Sequence, residues 1–173
     1  MDKRLELNLE VKNSIAKALF ILLNKKTIYE ITILELVQKA GVARASFYRN
    51  FKSKEDVIFY YLNSLLIAYK GKYEADLAHI ARYENVLRTF SYILTYQEEL
   101  ASLFKAKLGQ MFLDALNTYI IESSNLKNEK ALYKYPFYSY VGALYNVLYY
   151  WITSGCKETP EEITKAYFTS LHL

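Results

Sequence analysis

Residues 44–54 carry a group of side chains that could bind the backbone of a nucleic acid. Arg44 and Arg49 have guanidinium groups, Tyr48 has a hydroxyl and Lys54 has an ammonium. Guanidinium and ammonium groups neutralise phosphates, hydroxyls donate hydrogen bonds to them, and a guanidinium also pairs with the edge of guanine. This group therefore indicates binding to double-stranded DNA, provided that the fold presents the four side chains on one surface.

The residues before Arg44 predict the helices that would position this group. Thr32 can cap a helix, and Glu35 stands in the capping-box position. Gly41 can adopt the left-handed backbone conformation that a tight turn between two helices requires. A short helix over residues 44–50 would follow the turn. Two helices joined in this way form a helix-turn-helix, whose second helix lies in the major groove of DNA.

The groove helix should turn its small and polar side chains outward and its apolar ones inward. Ala45 and Ser46 are small enough to let the backbone approach the bases, and Tyr48 is placed to hold a phosphate. Lys54 would hold another through its ammonium and through the amides at the start of the next helix. The residues predicted to contact DNA, or to support that contact, are Thr32, Arg44, Ala45, Ser46, Tyr48, Arg49 and Lys54.

Each of these positions also has a purely structural interpretation. The spacing of Phe47 and Phe51 favours core packing over contact with bases. Arg49 could equally be a solvated surface charge, and the lysines of the first helix are typical of a hydrated helix face. Charge along the chain favours the DNA interpretation, because residues 1–57 contain eleven Lys and Arg against seven Asp and Glu, whereas the remainder has eleven of each.

The rest of the chain predicts an all-α fold. It has only 5 Gly and 2 Pro, and its long apolar runs contain few turn signals. Ser53 can cap a long linking helix. Apolar periodicity predicts a first helix over residues 9–24 and further helices over 72–81, 85–95, 97–124 and 130–154, broken at Gly71, Gly109 or residues 123–125. A last helix should begin at Pro160, after a cap at Thr159.

The segments ITI at residues 31–33 and AGVARASFYRNFKSKED at residues 40–56 resemble the DNA-binding signature of TetR-type regulators. The resemblance covers roughly residues 8–66. It implies a three-helix head over residues 1–53 and a helical dimerisation and sensing body over residues 54–173. It also implies a homodimer whose two heads bind successive major grooves of a near-palindromic operator, usually repressing until a small ligand enters the body. Ala43 departs from the pattern, because many members have a capping Ser or Thr there.

The body is rich in tyrosine, since sixteen of the 18 tyrosines follow Val57. Residues 137–151 show two apolar stripes, of which one should face the core and the other a second subunit. The residues predicted at that dimer interface are Tyr138, Tyr145, Tyr149, Ile163 and Tyr167. A tyrosine joins an apolar ring to a polar tip, so these rings could also line a cavity.

A ligand cavity in the body would be lined by aromatic residues. Its predicted wall consists of Tyr69, Tyr73, Tyr92, Tyr96, Phe104, Phe112, Tyr119 and Tyr140. Tyrosine hydroxyls favour a partly polar aromatic or lipophilic effector, and a protein co-regulator could use the same surface. Aromatic stripes at helical spacing are nevertheless core more often than binding site, so both interpretations stay open.

Other classes of protein fit the sequence less well. His79 and His172 have no convincing nucleophile or paired acid, and neither a phosphate-binding glycine loop nor a metal-ligand spacing occurs, so we expect no enzyme, cofactor or metal. The single Cys156 and the lack of a signal peptide favour the cytoplasm, and no apolar run is long enough for a membrane span. A helical protein-interaction module, a co-regulator-dependent activator and a small helical enzyme remain as alternatives.

Overall fold

A computed structural model describes residues 3–73, 80–124 and 126–170. Every regular element in these ranges is an α-helix, which confirms the predicted all-α fold. The helices are α1 (Lys3–Leu23), α2 (Ile33–Ala40), α3 (Arg44–Asn50), α4 (Lys54–Lys72), α5 (Tyr83–Leu94), α6 (Gln97–Lys105), α7 (Gly109–Ser123), α8 (Ala131–Thr153) and α9 (Pro160–Ser170).

The helix-turn-helix forms where its local signals predict it. The hydroxyl oxygen of Thr32 accepts a hydrogen bond from the Glu35 amide at 3.1 Å, so it caps α2. Gly41 ends α2 with φ of 68°, in the left-handed region that favours glycine, and α3 begins at Arg44. The angle between α2 and α3 is therefore set by a turn that the sequence predicts.

The head packs α1, α2, α3 and the first turns of α4 around one apolar centre. Ile15, Leu19, Leu36, Phe47 and Ile58 are all fully buried there. Burial of one such side chain contributes roughly 1.5–3 kcal/mol, so these contacts hold the short α3 in place although seven residues cannot form a stable helix alone.

The body consists of the second half of α4, which packs against α7, and of helices α5 to α9. Trp151 of α8 lies against Phe90 of α5 in an edge-to-face contact with ring centroids 5.5 Å apart. The indole nitrogen of Trp151 donates to the Glu158 carbonyl at 3.1 Å, which fixes the turn between α8 and α9. The α8 stripe that contains Val141, Leu144, Leu148 and Trp151 is buried, as its spacing predicts.

Several predicted helix boundaries were wrong. Helix α1 begins at Lys3 rather than near residue 9, because helix-forming residues extend it before its first buried residue, Ile15. Gly71 does not break α4, which ends one residue later at Lys72. The segment over 97–124 is divided between α6 and α7 at Gly109, one of the predicted break points, with Lys107 at φ of 60° in the turn. Most of the helix predicted over 72–81 lies outside the described residues.

No helix in the described ranges is long and apolar enough to cross a membrane.

Candidate functional site

Helix α3 presents an exposed polar face at the end of the head. Arg44, Ala45, Tyr48 and Arg49 are all exposed, and Tyr48 leaves 55% of its surface accessible. The Arg44 guanidinium lies 5.6 Å from the Tyr48 ring centroid and donates to its hydroxyl at 3.3 Å. Arg49 donates to the Ser46 hydroxyl at 3.4 Å. These weak contacts are solvent-exposed, so the same groups can be redirected to phosphates or base edges without breaking the core.

Phe47 and Phe51 are core residues, as their spacing favours. Phe47 is 0% exposed, and its ring lies 6.0 Å from that of Phe51, which in turn packs against Tyr60 of α4. The two rings therefore attach the inner face of α3 to α4, and they do not face a DNA duplex.

The structure places the Lys54 ammonium differently from the prediction. It donates to the main-chain carbonyl of Ile31 at 2.6 Å and also to that of Ile28, both in the turn between α1 and α2. The ammonium therefore fixes this turn against the start of α4. Contact between Lys54 and a phosphate through the ammonium would require these bonds to break, whereas its amide at the start of α4 keeps its predicted position.

A shallow groove beside α3 adds basic residues that the sequence did not single out. It lies between α1 and α4, and its wall contains Lys12, Lys52 and Arg49 together with Asp56. Asp56 is engaged locally, because its carboxylate accepts a hydrogen bond from the Lys52 amide at 2.9 Å and its own amide donates to the Ser53 hydroxyl. The place of Lys52 within the signature was the available signal, whereas Lys12 required the tertiary structure.

Helix α3 lacks a side-chain cap. Ala43 occupies the N-cap position with an extended backbone, φ −69° and ψ 146°, and supplies no side-chain acceptor. This backbone conformation is the one in which a Ser or Thr hydroxyl bonds an amide of the first turn.

A capping residue at position 43 should therefore stabilise the head. We expect Ala43→Thr to raise the free energy of unfolding by about 0.5–1 kcal/mol and to strengthen DNA binding. The control is Ala43→Val, which has nearly the shape of Thr but no hydroxyl. Equal stability of the two variants in urea unfolding would show that no cap forms.

The body contains a cavity that is partly open to solvent. It lies between α4, α5, α7 and α8. Five of the predicted wall residues line it, namely Tyr69, Tyr73, Tyr92, Tyr119 and Tyr140. The other wall residues are Leu66, Ile80, Asn85, Thr89, Ile93, Leu116, Ile120, Val141, Leu144 and Leu148.

Burial changes the pKa of tyrosine hydroxyls in this wall. It raises the pKa of the Tyr69, Tyr119 and Tyr140 hydroxyls above the ordinary value of tyrosine, because the phenolate would lose its hydration. These hydroxyls therefore stay neutral and act as hydrogen-bonding groups rather than as anions.

Three predicted wall residues lie elsewhere. Phe104 and Phe112 are buried in a separate aromatic cluster with Tyr145, at centroid distances of 6.1 and 6.3 Å from its ring. The Tyr96 ring lies 5.1 Å from the Tyr92 ring, and Tyr96 is not among the residues that line the cavity. Apolar spacing could not separate these residues from the true wall, because both sets lie on inward helix faces.

Of the residues predicted at the dimer interface, Tyr167 needs correction. Tyr167 is 1% exposed and packs against Phe90, so it belongs to the core of its own subunit. Tyr145 and Tyr149 are half-buried against Phe104 of α6. Ile163 is half-buried and Tyr138 is exposed. The outward stripe of α8 instead passes through Tyr135, Ser139, Gly142, Asn146, Tyr150 and Thr153.

An exposed, basic recognition helix on a helical body defines a DNA-binding regulator with a helix-turn-helix head. Residues 15–61 match the family model described as bacterial regulatory proteins, tetR family, and residues 83–172 match the model described as transcriptional regulator C-terminal region. The chain belongs to the TetR family of transcriptional regulators, and it is a transcription factor rather than an enzyme.

Solved structures share the fold. The chain is similar to the fatty acid degradation regulator FadR from Bacillus halodurans, with a TM-score of 0.60 at 17% identity over 93% of this chain and 94% of that one. It is also similar to the dihydroxyacetone kinase operon activator DhaS, with a TM-score of 0.58 at 17% identity over 94% and 92% of the two chains. No curated protein matches the sequence.

Proposed function

We propose that this protein represses transcription as a homodimer on a near-palindromic operator and that a small ligand in the body cavity releases it. In this proposal residues 1–53 form the DNA-binding head, residues 54–173 form the dimerisation and sensing body, and the protein acts in the bacterial cytoplasm. The observation that carries the proposal is the outward face of α3, on which Arg44 and Tyr48 lie side by side above a buried Phe47.

Dimerisation would use α8 and α9. The outward stripe of α8 includes Tyr135 and Tyr150, both mostly exposed in the single subunit. Gly142 and Ser139 on the same stripe are small and would allow a second helix to approach closely. Since the same surface would serve both subunits, a two-fold axis would place two α3 helices on one side of the dimer, as a palindromic operator requires.

Helix α4 would carry the signal from the cavity to the head. Its Tyr69 lines the cavity, and its first turn is capped by Ser53 in the head. The Tyr92 hydroxyl of α5 donates to the Leu65 carbonyl of α4 at 2.9 Å, so the cavity wall is bonded to this helix. A ligand that moved Tyr69 or Tyr92 would therefore tilt α4 and change the spacing of the two heads.

The proposed DNA interface can be tested by measuring operator affinity at several salt concentrations, after selecting bound sequences from genomic DNA. Tyr48→Ala should weaken binding at least about tenfold for all operators. It should not change the slope of log affinity against log salt concentration, because the tyrosine hydroxyl is uncharged. Arg44→Ala should instead change sequence preference if the guanidinium reads a base. Lys52→Ala should reduce the slope by about 1, because the variant has one cation fewer to neutralise a phosphate.

The control is Tyr29→Ala, which removes an exposed tyrosine from the head outside α3. It should leave affinity unchanged. If Tyr48→Ala binds operators like the parent protein, α3 does not contact DNA as proposed.

Activation with a protein co-regulator is the second candidate. The first turns of α8 expose Leu132, Tyr133 and Tyr135 together, and a structural neighbour is named as an operon activator. Transcription of the selected operators in a purified system would distinguish the two: the protein alone should lower transcript levels if it is a repressor.

A further inference from the structure

The cavity wall carries no formal charge among the residues that the structure describes. Its polar side-chain groups come from five tyrosines, Asn85 and Thr89, and the remaining wall residues are aliphatic. The sequence between the wall residues Tyr73 and Ile80 contains Glu74, Asp76 and His79 but no Lys or Arg. A carboxylate or phosphate in this cavity would lose its hydration without gaining a cationic partner from the wall residues that the structure describes, which is strongly unfavourable.

Three of the tyrosine hydroxyls are already engaged inside the body. Thr89 donates to the Asn85 carbonyl, so the 2.9 Å contact between Tyr69 and Thr89 has the tyrosine as donor. The other two donations run from Tyr92 to the Leu65 carbonyl at 2.9 Å and from Tyr140 to the Ile80 carbonyl at 3.1 Å. These bonds hold the rings in place and use the donors that a ligand would otherwise meet.

The Tyr119 hydroxyl differs from these three. It is buried in the wall contributed by α7 and makes no hydrogen bond within the described residues. Burial raises the pKa of this hydroxyl and the nearby Ser123 side chain lowers it in part, but the two side chains do not meet the geometry of a hydrogen bond. A buried hydroxyl without a partner is costly, and a ligand oxygen in the cavity would satisfy it.

We propose that the effector is an uncharged, mainly apolar small molecule with one oxygen that accepts a hydrogen bond from Tyr119. This inference rests on the proposed function in taking the cavity as the effector site. The aliphatic and aromatic walls supply the affinity, and Tyr119 selects for the position of the oxygen.

Arg88 is the residue that favours an anionic ligand instead, because its guanidinium could attract an anion at the mouth of the cavity. Its guanidinium is 6.0 Å from the Tyr73 ring centroid and donates to the Asn85 side chain at 3.3 Å. The side chain is exposed and does not line the cavity. Replacing it therefore separates an anion held at the surface from a neutral ligand held inside.

The test is calorimetric titration of the DNA-free protein with three probes of nearly equal size. Benzylacetone is a neutral ketone, hydrocinnamate is its carboxylate counterpart, and butylbenzene has no oxygen. We expect benzylacetone to bind at least about tenfold more tightly than hydrocinnamate at neutral pH. Tyr119→Phe should weaken the binding of benzylacetone about three- to tenfold and leave the affinity for butylbenzene unchanged.

Tyr133→Phe is the matched control, because it removes an exposed tyrosine hydroxyl on α8 and should change neither affinity. Hydrocinnamate binding that equals or exceeds benzylacetone binding and disappears in Arg88→Ala would overturn the proposal. The proposal would also be overturned if neither benzylacetone nor butylbenzene bound the folded protein. An unchanged affinity for benzylacetone in Tyr119→Phe would overturn the role of the Tyr119 hydroxyl.

Release of operator is measured separately with the same probes. If benzylacetone binds the cavity but leaves the DNA complex intact, the proposed ligand-induced release is contradicted. The proposed chemical class of the ligand is then still supported.

Discussion

Phe47→Ala is expected to lower the free energy of unfolding by about 3–5 kcal/mol and to abolish specific DNA binding. Phe47 is fully buried and packs against Phe51, and both rings attach α3 to α4. Removing the ring leaves a cavity beneath a helix of seven residues, which is too short to stay folded without its packing. Urea unfolding followed by far-UV circular dichroism measures the first effect, and operator affinity measures the second.

The neighbouring residue supplies the control for this prediction. Tyr48→Ala removes an aromatic ring of similar size from the exposed side of the same helix, so it should change stability by less than about 1 kcal/mol while weakening DNA binding. Loss of stability in both variants would mean that α3 is packed on both sides. That result would contradict an outward recognition face.

Trp151→Ala is expected to destabilise the body by about 3–5 kcal/mol. Trp151 is 2% exposed, packs edge-to-face on Phe90 and donates its indole hydrogen to the Glu158 carbonyl. The variant therefore loses core packing and leaves a main-chain acceptor in the α8–α9 turn unpaired. Because this is the only tryptophan in the chain, unfolding has to be followed by circular dichroism rather than by its fluorescence.

Tyr150→Ala is the adjacent control. Tyr150 is 71% exposed on the outward stripe of α8, so the variant should keep the fold of the subunit. If that stripe forms the proposed dimer interface, sedimentation should show weaker dimerisation in this variant. If Tyr150→Ala destabilised the subunit as much as Trp151→Ala does, Tyr150 would belong to the core. That result would contradict the assignment of the outward stripe.

The head was predictable because its signals act over a few residues. The Thr32 cap, the Gly41 turn and the Ser53 cap each act within one helix turn, and each is observed where the sequence predicts it. The burial of Phe47 follows equally from its position on the inner side of a short helix. Local hydrogen bonds and steric limits on the backbone fix these features before any distant contact forms.

The body was predictable only in outline. Helical periodicity identified the buried stripe of α8, but it placed Phe104 and Phe112 in the cavity wall and Tyr167 at the interface. An inward helix face can meet a cavity, a neighbouring aromatic cluster or the centre of the core. Residue spacing is the same in all three cases, so spacing cannot distinguish them.

The sequence by itself determined the all-α class, the helix-turn-helix and the outward side chains of α3, since these depend on neighbours three or four positions away. Only the tertiary structure decided that Lys54 bonds carbonyls more than twenty residues earlier, that Tyr119 lacks a partner among the described residues and that Tyr167 is buried. Those outcomes depend on how separate helices are placed against one another, and that placement minimises the free energy of the whole core rather than of any one segment.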